Sequence, residues 1–399
     1  MTEMNPGNNK RIAIIGGGII GCLTALYLHR LGAKPFILER GQTGQESSWA
    51  GAGILCPIHP WLYPDSFTRL VDYSLTLYPE LAAQLQSETG LSIQWSQCGL
   101  MIPIFADDRL QHKEQALAWS NRFNWQLERL DGRDARIAEP TLAADVSEAL
   151  LWPQVGQVRN PRLLQAVRKA LDLSGVQIHE QADVTGLLED ANGQVSGLQL
   201  STGKQFEADA VLLAAGSWSG ELAAEMGLDL SVEPVKGQIV LLKDKPGKMH
   251  SIIKHDDAYF VPRSDGRILI GASMERVGFQ RGNTEQVVNS LLSATHRIAP
   301  GLKDAEIEQQ WMGFRPGTAD GLPYLGPVKN RPGLWIASGH YRNGVALAPG
   351  TAEIMSRWIL GEAPNLDMSD FRIDRATNNN PKLGFPEHVD SSNKASCSS

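Results

Sequence analysis

The glycines of the stretch GGGIIG are the first residues whose type and spacing indicate chemistry, because they supply the pattern Gly16-x-Gly18-x-x-Gly21. In this pattern the first glycine permits a tight turn, the second lets a pyrophosphate approach the backbone, and the third lets a helix pack closely on a strand. Free N–H groups at the helix N-terminus then attract phosphate oxygens. The pattern alone is weak, since a glycine-rich turn also occurs without a ligand.

An acidic residue strengthens this interpretation. Glu39 ends the second predicted strand, 18 residues beyond Gly21, where a carboxylate can bind the hydroxyl groups of a ribose. A carboxylate at that position disfavours a 2′-phosphate and therefore NADP. The sequence thus predicts a dinucleotide site, with FAD and NAD both open at this point.

A second glycine-rich stretch favours FAD. SSWAGAGIL, residues 47–55, is made mostly of small residues and follows Glu39 closely, so its backbone can approach a large flat ring system. A flexible surface loop is the alternative interpretation. The apolar stretch ADAVLLAAGSWS, residues 208–219, adds a buried strand that runs into Gly216.

Further motifs complete an ordered set. After GGGIIG come Glu39-Arg40, SSxAGAG, VLLAAGSWS, then GxRPxTxDGLPxLG at residues 313–326 and GHYRNGV at residues 339–345. In this order they resemble the FAD-dependent D-amino acid oxidase family, and within it the glycine oxidases of thiamine biosynthesis. The likeness runs from about residue 10 to residue 360. It implies an FAD enzyme that takes a hydride from the α-carbon of a small amine or D-amino acid, with oxygen reoxidising the flavin to give hydrogen peroxide.

Oxidation of a small amino acid requires an anchor for its carboxylate, and arginine has the best geometry for that task. Arg315 and Arg342 are the candidates, and the resemblance implies that both contact the carboxylate and that Tyr259 helps line the pocket. Met274 falls where the resemblance places an apolar wall. The alternatives are an ion pair of Arg315 with Asp320 or with another buried acid, and core packing for Tyr259 and Met274.

The backbone after Ser338 is expected to donate N–H groups to the edge of the flavin where negative charge accumulates on reduction. The resemblance implies that the adenine meets the backbone at Val184. The cofactor-binding residues predicted in all are Gly16, Gly18, Ile19, Ile20, Gly21, Glu39, Arg40, Ser47, Ser48, Ala52, Gly53, Ile54, Val184, Gly216, His340, Tyr341, Arg342, Asn343, Gly344, Val345, Ala346 and Leu347.

A general base and a covalent flavin link are both disfavoured. His340 is a possible base, but hydride transfer from the α-carbon does not need one from the protein. Residues 313–347 contain no cysteine that could link a flavin covalently. We therefore expect FAD to be bound non-covalently.

The elements that position these residues form an α/β fold. Predicted strands at Arg11–Ile15 and Lys34–Leu38 flank a predicted helix at Ile19–Leu31, a βαβ unit that implies a parallel sheet. Later runs at Val232–Leu242, Ala258–Val261 and Arg267–Ala272 predict a mostly antiparallel sheet. Other predicted helices are Pro79–Thr89, Ala116–Asn124, Arg162–Leu173 and Glu285–Ile298, and other predicted strands include Val195–Leu200 and Ala210–Leu213.

We therefore predict a Rossmann-like FAD-binding domain with an inserted, mostly antiparallel substrate domain. The FAD-binding domain comprises residues 10–90, 140–225 and 310–372, and the substrate domain comprises residues 91–139 and 226–309. The polar, low-complexity stretch 376–399 is expected to be disordered.

Composition narrows the class of protein. The 399 residues carry 37 basic and 44 acidic side chains, a formal charge of −7 without a basic run, so nucleic acid is an unlikely partner. Cys22, Cys56, Cys98 and Cys397 are scattered and lack metal-ligand spacing, which disfavours a metal site and favours the cytoplasm. No apolar run is long enough for a membrane helix.

Three functions stay open. The first is an oxidase that uses oxygen; the second is a dehydrogenase that docks at a membrane and reduces a quinone; the third is a flavoprotein that modifies a partner protein. The preference among glycine, sarcosine, D-alanine and D-proline is also open. The stretch Pro57–Asp65 is interpreted as a possible lid, and homo-oligomers are possible.

Overall fold

The predicted βαβ unit is present at residues 11–38 in a computed structural model that describes residues 9–57, 59–106 and 113–375. The stretch 376–399, predicted to be disordered, lies outside the described residues.

The strands are, in chain order, β1 Arg11–Ile15, β2 Lys34–Leu38, β3 Ile54–Leu55, β4 Ser96–Gln97, β5 Leu100–Phe105, β6 Glu128–Asp131, β7 Val146–Trp152, β8 Gly156–Gln157, β9 Gln177–His179, β10 Val184–Glu189, β11 Val195–Leu200, β12 Gln205–Glu207, β13 Ala210–Leu213, β14 Glu233–Lys243, β15 Ile252–His255, β16 Ala258–Pro262, β17 Arg267–Gly271, β18 Glu306–Gly317, β19 Tyr324–Pro327 and β20 Leu334–Ser338.

The helices are α1 Ile19–Arg30, α2 Ser47–Ala50, α3 Asp65–Thr89, α4 Lys113–Arg122, α5 Gly132–Ala138, α6 Asn160–Leu173, α7 Ser219–Glu225, α8 Glu285–Ile298 and α9 Gly344–Ile359. Within the described ranges, none of them has both the length and the apolarity to cross a membrane.

The first of the two large sheets has six strands, in the order β19-β20-β13-β1-β2-β9. All neighbours pair in parallel except β19, which is antiparallel to β20. Alternate residues of β1 enter different cores, because successive side chains of a strand point to opposite faces. Ile12 and Ile14 pack with the helices, whereas Ala13 and Ile15 pack with a core that contains residues of the antiparallel sheet β10-β11-β12.

The second large sheet has eight strands, in the order β18-β14-β17-β16-β15-β5-β7-β6. Its neighbours pair antiparallel except β5 and β15, which are parallel. The expected combination of a Rossmann-like domain and a mostly antiparallel second sheet is therefore confirmed.

Several boundaries differ from the sequence expectations. The predicted helix Pro79–Thr89 is the second half of α3, whose 25 residues contain Pro79 in the interior. An interior proline normally interrupts a helix because it lacks an N–H group. The sequence analysis therefore placed the start of this helix at Pro79. Strands β6 and β7 were not predicted.

The division into domains stays a prediction. Strand β7 and the whole of β18 belong to the eight-stranded sheet. This membership favours moving residues 146–152 and 310–317 from the FAD-binding domain to the substrate domain.

A buried ion pair links Arg375 to Asp320, in the loop before β19. Arg375 donates from Nε to Oδ2 of Asp320 at 2.8 Å and from Nη2 to Oδ1 at 3.0 Å. The two side chains are only 7% and 10% exposed. Asp320 is thus occupied by Arg375, which removes the alternative that it serves as the ion-pair partner of Arg315.

We predict that Arg375→Met lowers the free energy of unfolding by about 3–5 kcal/mol, because it leaves the buried Asp320 carboxylate without its counter-charge. Chemical denaturation measures this change. Arg372→Met is the matched control, since Arg372 pairs with Asp374 at an exposed site, and it is expected to leave stability unchanged. Equal effects of the two substitutions would contradict the prediction.

Candidate active site

The glycine-rich turn between β1 and α1 leaves no space for side chains at two positions. Gly16 has φ +111°, and a Cβ there would lie 2.4 Å from the carbonyl oxygen of Ala214. A Cβ on Gly21 would lie 2.1 Å from the carbonyl oxygen of Gly16. The turn, the start of α1 and the end of β13 are therefore in backbone contact, which is the geometry needed for a phosphate to reach the helix N-terminus.

The Glu39 carboxylate closes this turn from the end of β2. Its Oε2 accepts a hydrogen bond from the Gly17 N–H at 2.7 Å, and its Oε1 accepts one from the Gly41 N–H at 2.7 Å. Each oxygen retains a lone pair. Glu39 also lines a cavity of about 280 Å³, so it faces the space in which a ribose would lie.

The same cavity contains the other residues predicted for the adenine half of the cofactor. Val184 and Arg40 line it, together with Gly16 and Gly18. The Arg40 guanidinium lies 4.7 Å from the centre of the Trp218 ring. This contact orients a cation beside the cavity, where it favours an anionic ligand.

The segment around α2 joins the first cavity to a second of about 150 Å³. Ser47, Ala214 and Gly216 line both spaces, so the two form one elongated site. Ser48 Oγ accepts the Ile19 N–H at 2.9 Å, and the Ser47 hydroxyl donates to the carbonyl of Phe314.

Residues from three other parts of the chain line the second cavity. Ala52, Gly53 and Ile54 lie on one side, and Tyr259 and Arg315 come from the eight-stranded sheet. His340, Tyr341, Arg342, Gly344 and Val345 come from the turn after β20 and the start of α9. Of the remaining predicted residues, Ile20 lines this cavity. The backbone N–H of Ile19 donates to Ser48. Asn343 donates from Nδ2 to the Tyr63 hydroxyl at 3.2 Å. Ala346 and Leu347 are buried inside α9.

Arg315 lies over a glycine that makes room for it. A Cβ at Gly237, on the neighbouring strand β14, would be 2.4 Å from both Nη atoms of Arg315. The guanidinium donates from Nη1 to the carbonyl of Ser273 at 3.0 Å. Sequence reasoning missed Gly237, although a glycine inside an apolar strand signals a close approach.

Tyr259 also lies against a glycine. A Cβ on Gly271, directly opposite it in the sheet, would lie 2.5 Å from the phenol oxygen. Burial raises the pKa of Tyr259, while the charge of Arg315 and its hydrogen bond oppose that rise. The phenol therefore keeps its proton at neutral pH and can donate it in a hydrogen bond.

Arg342 lies in the turn that connects β20 to α9. Its guanidinium carbon lies 4.9 Å from the centre of the Tyr341 ring, and its Nε is buried without a hydrogen-bond partner among the described residues. The preceding residue, Tyr341, has φ +48° and donates its N–H to the carbonyl of Pro316 at 3.0 Å. The Tyr341 hydroxyl donates to Sδ of Met274 at 3.5 Å, which brings Met274 to this side of the site.

His340 is a neutral group. It is 3% exposed and its Nε2 lies 3.2 Å from Oγ1 of Thr351. Burial lowers the pKa of His340 to about 3. An imidazole with so low a pKa is a weak proton acceptor, which agrees with the interpretation of His340 as something other than a general base.

A glycine-rich turn and a ribose-facing carboxylate, joined to a cavity lined by two half-buried arginines, define a dinucleotide-dependent oxidoreductase. Residues 11–358 match the family described as FAD dependent oxidoreductase (DAO), and the chain belongs to this family. It therefore depends on FAD, and the resemblance found in the motifs is confirmed.

Named relatives cover most of the chain. The glycine oxidase of Pseudomonas aeruginosa is 38% identical over 364 residues, which is 91% of this chain and 98% of the relative. The crystal structure of glycine oxidase from Geobacillus kaustophilus superposes with a TM-score of 0.87 at 30% identity, covering 93% of this chain and all of that one. Iminodiacetate oxidase from Chelativorans sp. BNC1 has a TM-score of 0.82 at 27% identity, covering 91% and 99%.

The residues present fit FAD. A long, continuous site begins at backbone N–H groups suited to a pyrophosphate and ends beside the N-terminus of α9. That helix N-terminus offers N–H groups and partial positive charge to the ring edge.

We predict that Gly16→Ala abolishes FAD binding, because its Cβ would overlap the Ala214 carbonyl and close the turn. The ratio of flavin to protein absorbance after purification measures this loss. Gly193→Ala is the matched control: Gly193 also has a positive φ, +76°, but its Cβ would meet nothing within 4 Å. It shares the backbone strain of about 1 kcal/mol and is expected to retain FAD, so a comparable loss of flavin would contradict the prediction.

Proposed function

We propose that the protein is an amino acid oxidase that uses non-covalently bound FAD to deaminate a small amino acid, of which glycine is the simplest. The glycine oxidases described above, similar over more than nine-tenths of the chain, support this substrate class. The observation that carries the proposal is the buried Nε of Arg342, which has no partner among the described residues and lines the cavity beside the flavin-binding segment.

Arg342 and Arg315 bind the substrate carboxylate in this proposal. An arginine presents paired N–H groups that match the two oxygens of a carboxylate. Arg342 has donors to spare, and Arg315 is held in place by the Ser273 carbonyl and the space over Gly237. The Tyr259 phenol, which keeps its proton, adds a further donor.

The amine reacts in its neutral form. His340 has a pKa of about 3 and Tyr259 a raised pKa, so neither removes a proton from an ammonium group at neutral pH. The substrate therefore loses that proton to solvent before the α-carbon reacts. Binding of the carboxylate by the two half-buried arginines orients the α-carbon, which is the main contribution that positioning makes.

FAD, when bound, accepts the hydride that leaves the α-carbon. Residues 344–345 at the start of α9 line the cavity and direct backbone N–H groups and partial positive charge toward it. The imino acid then takes up water and releases ammonia and a 2-oxo acid. Oxygen is consumed and hydrogen peroxide formed in the overall reaction, which balances the two electrons removed from the amine.

The cytoplasm is the proposed site of this reaction. The described cysteines, Cys22, Cys56 and Cys98, are free thiols, which favours a reducing compartment.

A substrate screen tests the proposed function. The purified protein is mixed with glycine, sarcosine, D-alanine or D-proline in air, and peroxide is measured. At least one amine is expected to give peroxide, and acid treatment is expected to release the flavin. Flavin bleaching without oxygen, but no peroxide in air, would favour a dehydrogenase. Absence of bleaching by every amine would overturn both enzyme assignments and favour action on a partner protein.

We predict that Arg315→Leu retains FAD but raises KM for small amino acids by about 10- to 100-fold, because a hydrogen bond to a charged group contributes roughly 1.5–3 kcal/mol. Steady-state kinetics and flavin content are the measurements. Arg331→Leu, at an exposed ion pair with Glu189, is the control and should change neither. Loss of flavin in Arg315→Leu would show that this arginine positions the cofactor instead.

A further inference from the structure

Lys254 is a buried lysine whose charge has no contact partner. Its side chain is 4% exposed, and Nζ meets no hydrogen-bond acceptor among the described residues. Lys236, the other buried lysine in the described part of the chain, has the Glu275 carboxylate 3.7 Å from its Nζ. An unpaired buried ammonium costs free energy, so the position of Lys254 requires an explanation.

Sheet register places Lys254 on the face that borders the active site. It is paired with Tyr259 on β16; Tyr259 is paired with Gly271, and Gly271 with Ile239. Directly paired residues of antiparallel strands project from the same face. Tyr259 and Ile239 line the second cavity, so Lys254 continues the same row, one strand farther out.

Apolar residues surround this row. The cluster on that face includes Cys56, Ile252 and Tyr259, and Cys56 also lines the cavity. Tyr259 leans toward Gly271, which has no side chain, and therefore away from the strand of Lys254. Lys254 itself does not line the second cavity, and its ammonium group thus lies in apolar surroundings directly behind the residues that do.

The charges near Lys254 do not replace a partner. Asp256 and Asp257 lie in the exposed turn between β15 and β16, and neither forms an ion pair with Lys254 within 4 Å. Arg342 is near enough to repel it: burial and that repulsion lower the pKa of Lys254 to about 8, against the attraction of Asp257. Lys254 and Arg342 thus both place positive charge near Tyr259, more than one carboxylate needs.

We propose that Lys254 determines specificity by binding a second carboxylate of the substrate, so that the enzyme favours amino acids that carry two carboxylates. This inference rests on the proposed amino acid oxidase function. Arg342 and Arg315 bind the carboxylate attached to the reacting α-carbon, and Lys254 binds the other. A second anion beside Lys254 would supply the partner that the ammonium lacks.

Matched substrates test the inference. Iminodiacetate is sarcosine with a carboxylate added to its methyl group, and D-aspartate is D-alanine with the same addition. Wild-type protein should give a higher kcat/KM for at least one dicarboxylate than for its matched monocarboxylate. Lys254→Met should lower that kcat/KM at least about tenfold through KM, while the value for the monocarboxylate changes less than threefold.

Two further variants and a stability measurement separate specificity from folding. Lys243→Met, at an exposed lysine of β14, should leave kcat/KM unchanged for both the dicarboxylate and its matched monocarboxylate. Lys254→Met should unfold at the same or a higher temperature than wild type, because it replaces an unpaired buried charge by an apolar chain of similar length. Lys254→Gln, which keeps a donor but loses the charge, should lose most of the dicarboxylate preference as well.

Some outcomes would overturn the inference. One is an equal kcat/KM of the wild-type protein for the two members of every matched pair. The other is an equal loss of kcat/KM for both members of a pair in Lys254→Met. If no amine is oxidised, the proposed function fails, yet Lys254 is still tested by equilibrium binding of malonate and acetate, followed through the flavin absorbance. Tighter malonate binding that disappears in Lys254→Met supports a second carboxylate site, and its absence refutes one.

Discussion

Positive charge buried without a negative partner is the constraint on which this active site depends. Arg342 and Lys254 each hold a buried nitrogen that meets no acceptor among the described residues. Burial of such groups opposes folding. The apolar cores on both faces of the parallel sheet stabilise the fold enough to keep these charges in position. In the proposed function, substrate binding gains from charge that is already desolvated and oriented, since little reorganisation remains to be done.

The partners of the half-buried arginines distinguish structural roles from proposed functional ones. Arg375 is paired with the carboxylate of Asp320 at both oxygens. Arg263 donates to the carbonyls of Ala52 at 2.7 Å and Val158 at 3.1 Å, and thereby ties the second sheet to the flavin-binding segment. Among the described residues, Arg315 and Arg342 meet neither a carboxylate nor a full set of carbonyls. A guanidinium with donors left over, facing a cavity, is the one available to a ligand.

Local sequence patterns were sufficient to predict much of the fold. The bounds of β1, β2, β11, β13 and α8 agree with the sequence expectations, because each is a short apolar run or an amphipathic period between turn residues. The predicted helix is shorter than α3 because an interior proline normally interrupts a helix, whereas α3 continues through the exposed Pro79. Gly237 and Lys254 were missed for a similar reason: the role of each depends on a side chain or a missing partner that is distant in sequence. The assignments of the individual site residues remain predictions.

The order of the parallel sheet has a consequence for biosynthesis. Strand β1, made early, has β2 on one side and β13 on the other, and β13 in turn pairs with β20, more than 120 residues later. The walls of the elongated cavity come from the same distant segments. A nascent chain that ends before residue 334 thus lacks strand β20 and the residues after it that line the second cavity. The full lining of the cofactor site is therefore present only once synthesis has passed Val345, the last residue along the chain that lines it.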